Sequence, residues 1–598
     1  MASTMTEEDI GVGETIPPLT AHAVSVSLPT WRANVGYEEG QDWVLSKMQS
    51  GYPRFFVHKS IQALAAAIVL KYGLPGETAM LFPRSSCAAR CIEFFNTQGV
   101  KLDSKELRIV DLVPTKEFIE QATAGKFILP RISAVIFPEE HFPTAKSFWQ
   151  HTGEGVSSRR AEYAHSSFQN GLLISKTQAE ESARLCRGPR RYQRRTSIER
   201  TGPENAVTGI PETQDPTQYV EERFGRNLEM AFADNAKTAI RRRIAGGLTE
   251  DVDLAEAMRR EKEESSIQRM PGLSEDDVYL YPCGMNAIFQ TFRSLAIAKG
   301  KQLKSIEYGF PYIDTLKILQ KFGPGCLFYG FGSAEELDDL EQRLEKGEKY
   351  LALFCECPGN PLLKTPDLQR IRSLADKYGF YVVVDETVGN FLNVRVLPYA
   401  DVVVSSLTKI FSGDSNVMGG SAILNPNGES YSEIKKVWNQ DYEDNYWAED
   451  ALFMERNSRD FVSRIERVNT NADAINEVLL SSPKVKEVYY PKNGSTRELY
   501  DRIRTPNGGY GGLLSATFYS QSDAKTFFDN LDTAKGPSLG TNFTLSSPYV
   551  ILAHFTELDW AASFGVDVDL VRVSVGLEPT DQLVATFQTA LDAIKNDS

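Results

Sequence analysis

The sequence predicts an α/β protein. A mostly parallel sheet flanked by helices is followed by a smaller α+β C-terminal domain and preceded by an extra α/β N-terminal domain. Three observations predict this. Between about 274 and 425, short apolar runs (SIEYGF, LALFCECPGN, FYVVVDETVGN, ADVVVSSLTK) alternate with amphipathic windows such as YIDTLKILQKFG and PDLQRIRSLADKYG. That β-α-β-α rhythm implies parallel strands joined by helices. After 425 the texture changes: a helix at about 456–480 precedes KVKEVYYP and LLSATFY, a further helix falls near 522–533, and LVRVSVGLE leads into DQLVATFQTALDAI. Finally, 598 residues exceed what one core can organise.

Taken in order, MASTMTEEDIGVGETIPPLT has no basic n-region and no apolar core. Residues 1–20 therefore read as a disordered N-terminus without a secretion signal, and a cytoplasmic location is expected. Residues 21–180 read as an N-terminal extension domain: IQALAAAIVLKY, 61–72, is rich in helix formers, while LRIVDLVP, 107–114, and ISAVIFP, 132–138, look like buried strands. No catalytic constellation stands out there, so a structural or regulatory role is expected. Residues 181–213, dense in Arg, Gly, Pro and Ser, read as a basic flexible linker. Residues 274–455 form the large domain and 456–598 the small one.

The chain carries 65 basic and 80 acidic residues, a net charge of −15, which argues against nucleic acid or an anionic membrane as partner. No run approaches the roughly 20 apolar residues of a membrane span. Seven cysteines are scattered through the chain, and Cys355-x-Cys357 sits in an apolar strand, as expected for reduced, packed thiols. The six histidines form no HxxH or HExxH pair, so no metal site is expected.

In parallel sheets ligands bind beyond the carboxyl ends of the strands, so the polar residues after each apolar run carry the interest. Asp385 closes FYVVVDET, where a carboxylate is costly unless it caps a turn or meets a cation. Lys409 follows DVVVSSLT; it is either a solvated strand-end cation or a reactive amine, with Ser406 and Thr408 nearby. Cys283-Gly284-Met285 opens a helix after VYLYP, as a tight turn or as a phosphate site built from free amides. Together they make an amine, an acid for a pyridine nitrogen and phosphate donors, at strand ends of one domain in the order pyridoxal phosphate needs.

These residues resemble the cystathionine γ-synthase family of fold-type I pyridoxal-phosphate enzymes, the Cys/Met metabolism group. Ser406-Leu407-Thr408-Lys409 matches the family's S-x-T-K, which implies that Lys409 is the Schiff-base lysine and that Ser406 and Thr408 help hold the phosphate. Asp385 matches the aspartate of V-D-N-T-F, which pairs with the ring nitrogen. Gly284 and Met285 match the S-G-M phosphate turn, and Tyr312 in YGFPY matches the ring that stacks on the cofactor and assists proton transfer. Asn360 in ECPGNP matches the asparagine near the cofactor hydroxyl. Arg572 in VRVSVGLE matches the substrate-carboxylate arginine, a bidentate task suited to a guanidinium, and Ser538 belongs to an S-L-G turn lining that pocket. The Y-x-R element appears as Phe224-Gly225-Arg226, which keeps the charge for a neighbouring subunit's phosphate but lacks the hydroxyl.

Glu386 stands where the family has asparagine, and the turn reads GDSN, with Asp414 where histidine is usual. The match spans roughly 215–595, and the preceding residues look like the extension of fungal members. The resemblance implies a homotetramer built from dimers, with residues 214–273 as an arm and helices contacting a neighbouring subunit. It implies γ-replacement on an O-acylhomoserine by cysteine to give cystathionine, in transsulfuration and methionine biosynthesis. Sulfide, an amine or a carbon nucleophile, or a lyase reaction, would use the same motifs, and a degenerate regulatory member is the non-enzymatic alternative.

Overall fold

The computed structural model describes residues 11–185 and 230–595, apart from 54, 126–127, 249 and 260–268. Three sheets organise them. The first joins β1 (Glu77–Phe82), β2 (Arg108–Pro114), β3 (Ile132–Pro138) and β4 (Leu173–Ser175) in the order β1-β3-β2-β4, every pair antiparallel. Central β3 is apolar along most of its length because both faces are covered. Helices Lys59–Tyr72 and Ser158–Gln169 pack on one side, and Ser85–Thr97 and Phe142–Thr152 on the other.

The second sheet holds β5 (Val278–Tyr281), β6 (Ser305–Tyr308), β7 (Cys326–Tyr329), β8 (Ala352–Glu356), β9 (Tyr381–Asp385), β10 (Val402–Ser405) and β11 (Gly420–Leu424). Their order is β5-β11-β10-β9-β8-β6-β7, and only β11 runs antiparallel to its neighbours. The valine runs of β9 and β10 are buried, as central parallel strands must be. Register sets what meets at the carboxyl edge: Glu356 lies beside Asp385, and Asp385 beside Val404. This is the expected fold-type I arrangement.

The third sheet comprises β12 (Val485–Tyr489), β13 (Leu513–Phe518), β14 (Ala534–Lys535), β15 (Leu545–Pro548) and β16 (Val571–Ser574), ordered β12-β13-β16-β15-β14. It packs against the helices Phe461–Ser481, Gln521–Asn530 and Thr580–Asp592. Arg572 sits in β16 between Ser515 of β13 and Ser547 of β15.

Two segments differ from expectation. Residues 11–20, expected to be disordered, are ordered: Val12 and Ile16 are buried, and Thr15 pairs with Val26. Residues 21–58 do not join the N-terminal sheet but strap across the C-terminal domain. Leu28 N donates to Lys535 O at 2.9 Å, and Trp31 enters the C-terminal core. Both corrections share a cause, since the strap buries Val26, Leu28 and Val44 completely. Helix Met230–Ile244, within the expected intersubunit arm, lays Ala233, Ala236, Ile240 and Ile244 into the large domain's own core. Among the described residues, no helix is long and apolar enough to cross a membrane.

Candidate active site

A cavity of about 200 Å³ opens at the carboxyl edge of the large sheet. Lys409, Asp385, Gly284, Met285, Ser406, Thr408, Tyr312, Asn360, Arg572 and Ser538 all line it. These residues span nearly 300 positions of sequence, and the sheet edge gathers them. Arg226 lies outside the described residues.

The turn after β5 supplies one wall. Cys283 occupies the N-cap of helix Gly284–Lys299 with extended backbone and makes no side-chain cap. Gly284 approaches Ser406 so closely that a Cβ there would lie 2.7 Å from the Ser406 Cβ. Ser406 is fixed by its own N–H, which donates to Thr387 Oγ1 at 2.8 Å. The Thr408 hydroxyl lies 3.2 Å from Gly419 O and accepts from Gly419 N at 3.1 Å, which ties it to the glycine turn.

Lys409 is buried and projects its amine into the cavity, where Nζ donates to Ser538 Oγ at 2.9 Å and to the Tyr52 hydroxyl at 3.0 Å. The same amine lies 4.5 Å from the Tyr52 ring centroid, on the hydroxyl side of the ring. Ser538 is held at φ +108°, a backbone region that non-glycine residues seldom occupy, which aims its hydroxyl at the lysine and its carbonyl at Arg572.

Two carboxylates form the floor. Burial pushes the Asp385 carboxyl up, against the Thr387 N–H that donates to Oδ1 at 2.8 Å. Burial, and then the neighbouring Asp385 charge, push Glu356 up to about 8, although its oxygens accept the Tyr312 and Asn360 amides. Glu356 is a site residue that the sequence reading passed over. Its signal was its position, first in ECPGNP and last in β8.

Opposite the floor, Arg572 Nη1 donates to Asn360 Oδ1 at 3.1 Å and Nη2 to Ser538 O at 2.6 Å, with its carbon 4.6 Å from the Tyr549 ring centroid. Asn360 Nδ2 in turn donates to the Tyr549 hydroxyl at 3.2 Å. Both faces of the Asn360 amide are thus engaged, which makes it an orienter of Arg572 and Tyr549.

Two departures noted in the sequence resolve away from the cavity. Glu386 pairs with buried Arg269 and borders a separate, smaller pocket with Phe391 and Phe461. Asp414 accepts from Asn542 Nδ2 at 2.6 Å and is not among the cavity residues. By contrast, the N-terminal part, expected to carry no site residue, contributes His22, Tyr52, Phe55, Ser157 and Arg159 to the cavity wall. Arg159, itself buried, faces Asp450 at 3.3 Å.

Comparison with known proteins agrees with this geometry. The family model "Cys/Met metabolism PLP-dependent enzyme" matches residues 260–592, and "Fungal trans-sulfuration enzyme, N-terminal domain" matches residues 60–157. A cystathionine gamma-synthase of Neurospora crassa is 53% identical, over 98% of this chain and 99% of that one. One from Saccharomyces cerevisiae is 41% identical over 97% and 98%. A cystathionine gamma-synthase-like enzyme of Amanita muscaria is 39% identical over 100% and 98%. The chain therefore belongs to the Cys/Met metabolism family of pyridoxal-phosphate-dependent enzymes, and is an enzyme of the cystathionine gamma-synthase-like kind.

Proposed function

We propose that the protein catalyses γ-replacement on an O-acylhomoserine by cysteine, releasing cystathionine. The observation that carries this reading is the convergence of Lys409, Asp385 and Arg572 on one cavity. An amine, an acid able to hold a ring nitrogen and a guanidinium able to hold an amino-acid carboxylate face a common space. The full-length similarity to the Neurospora crassa enzyme supports the choice of reaction.

The residues present fit pyridoxal phosphate. The amides of Gly284 and Met285 with the Ser406 hydroxyl would hold its phosphate, in a cradle that a Cβ on Gly284 would fill. Asp385 would meet its ring nitrogen, Tyr312 would stack on its face, and Lys409 would hold its aldehyde. Bound there, the cofactor supplies an electron sink for the carbanions formed at substrate Cα and Cβ.

The chain's own residues do the rest. Arg572, braced by Asn360 and Ser538, fixes the substrate carboxylate and so sets which Cα bond faces Lys409. The Lys409 amine takes the Cα proton and then moves a proton at Cβ, which allows the γ-ester to leave. Ser538 holds that amine between the two positions. Burial of Asp385 keeps water from competing with the ring for its charge.

Purified holoenzyme given O-acetyl- or O-succinylhomoserine with cysteine, with sulfide or alone tests the reading by product mass. Cystathionine formed only with cysteine is expected. A sulfide adduct formed faster, or elimination without any nucleophile, would replace it. A second reading, the same chemistry with another nucleophile, rests on the similarity to the Amanita muscaria enzyme, whose name marks it as synthase-like.

A further inference from the structure

The strap formed by residues 22–58 is anchored along its length to the C-terminal domain and to the lysine loop. Val24 N donates to Ser415 O at 2.9 Å, Ser25 Oγ to Pro537 O at 2.5 Å, and Leu28 N to Lys535 O at 2.9 Å. Gly536 passes so close beneath it that a Cβ there would lie 2.1 Å from Val26 O. The strap then folds back on itself, with Ser50 Oγ donating to Ala23 O at 2.8 Å. A tight turn follows, in which Phe55 N and Phe56 N both donate to Tyr52 O, at 2.9 and 3.1 Å. Gly51 allows this turn, because a Cβ there would fall 2.5 Å from the Phe56 Cβ. The turn places Tyr52 against an amine 357 positions away: its hydroxyl lies 3.0 Å from Lys409 Nζ.

We propose that Tyr52 is a catalytic residue, whose hydroxyl holds the Lys409 amine and stabilises the charge it gains when it takes a proton. The proposal rests on Lys409 being the reactive amine. When the neutral amine accepts a proton from carbon, one N–H bond forms, the C–H bond breaks and a positive charge appears on Nζ. The Tyr52 oxygen accepts a hydrogen bond from that ammonium. Tyr52 itself neither gains nor loses a proton overall. Ser538 Oγ accepts from the same nitrogen on another side, so the two hydroxyls fix where the amine points. The N-terminal segment is on this account part of the reaction centre, not an appended module.

Among the described residues, the other titratable groups lining this space are Asp385 and Glu356 on the strand ends, Cys283 and Tyr312 in the turns after β5 and β6, Tyr549 after β15, Arg572 on β16, the Arg159–Asp450 pair, and His22 and His58 on the strap. All are unchanged in Tyr52→Phe, so a difference between that variant and the wild type isolates one oxygen. Three measurements test the proposal. The pH midpoint of the bound cofactor's visible absorbance should fall by about one unit in Tyr52→Phe, because the cationic form of the lysine nitrogen loses an acceptor. kcat should fall about 10- to 100-fold with little change in KM. Thermal unfolding of the variant reports whether the strap still docks.

Lys409→Ala is the control for the underlying reading. If it still holds the cofactor covalently after borohydride reduction, the assignment of Lys409 fails, and this proposal with it. If Lys409→Ala abolishes attachment while Tyr52→Phe leaves the absorbance midpoint unchanged, the role of Tyr52 alone is overturned, whether or not activity falls. A tyrosine that merely props the strap would lower the unfolding temperature without moving the titration.

Discussion

Glu356 makes a prediction about the apoprotein that can be worked through in detail. Its carboxyl is pushed up to about 8 from an ordinary 4.5, first by burial and then by the Asp385 charge beside it in parallel register. The native state therefore holds a proton that the unfolded chain releases near pH 4.5. A group whose pKa is raised by folding contributes stability that is complete below its unfolded value and lost as pH climbs to its folded value. At about 1.4 kcal/mol per unit, the span from 4.5 to about 8 sets a ceiling of about 5 kcal/mol. The apoprotein should thus lose stability steadily between about pH 5 and 8 on account of this group and level off above. Glu356→Gln removes the titration but faces two backbone donors, the Tyr312 and Asn360 amides, with a single acceptor. At low pH it should therefore start about 1–3 kcal/mol less stable. Urea unfolding of cofactor-free protein at pH 5, 6, 7, 8 and 9 measures both effects, and the variant's curve should be flatter than the wild type's by several kcal/mol across the range. Parallel curves would refute the reasoning, because they would mean that Glu356 is ionised in the native site throughout.

Four other outcomes follow from the same geometry. Gly284→Ala should raise the cofactor dissociation constant at least ~10-fold by fluorescence titration of apoprotein, since the added methyl meets Ser406 at 2.7 Å. Arg572→Ala should lower kcat/KM by at least ~30-fold, corresponding to about 2 kcal/mol or more, with Arg572→Lys recovering only part, because one ammonium cannot bond Asn360 and Ser538 in the same fork. Glu386→Gln should destabilise the fold by about 3–5 kcal/mol in urea by stranding buried Arg269, while leaving the cofactor's absorbance midpoint in place. Asp414→Asn should keep kcat/KM within about 2-fold, because an amide oxygen can still accept from Asn542.

Much of the site was legible because strand ends are legible. The runs FYVVVDE and DVVVSS mark buried parallel strands, and in such sheets the residues just past them face the ligand, so Asp385, Ser406 and Lys409 could be named from pattern alone. Finer assignments depended on parity. Asp385 and Glu386 are adjacent, and successive side chains leave a strand on opposite faces, so one enters the cavity while the other turns to Arg269. That rule was available in the sequence and separates Glu386 from Asp385. The tie between Thr408 and Gly419 was beyond it, because only the folded turn brings the two together. Tyr52 and Arg159 were beyond it too. Their partners Lys409 and Asp450 lie 357 and 291 positions away, and no local periodicity encodes which surfaces of two domains will meet.

The two carboxylates at the sheet edge explain why such a site is worth assembling at a cost to the apoprotein. Parallel register forces Glu356 against Asp385, and burial raises both, so the apoprotein carries an electrostatic penalty here at neutral pH. Arg572 does not relieve it, since its guanidinium is turned to Asn360 and Ser538. A protonated pyridine nitrogen beside Asp385 would remove that penalty and would gain from the same low dielectric that created it. Binding energy for the cofactor would then be drawn from the desolvation of these carboxyls. Cofactor affinity and apoprotein stability should move in opposite directions when Asp385 is neutralised: Asp385→Asn should stabilise the apoprotein at pH 7 and above and weaken retention of pyridoxal phosphate. A variant that lost both would show that Asp385 holds the fold together through contacts other than its charge.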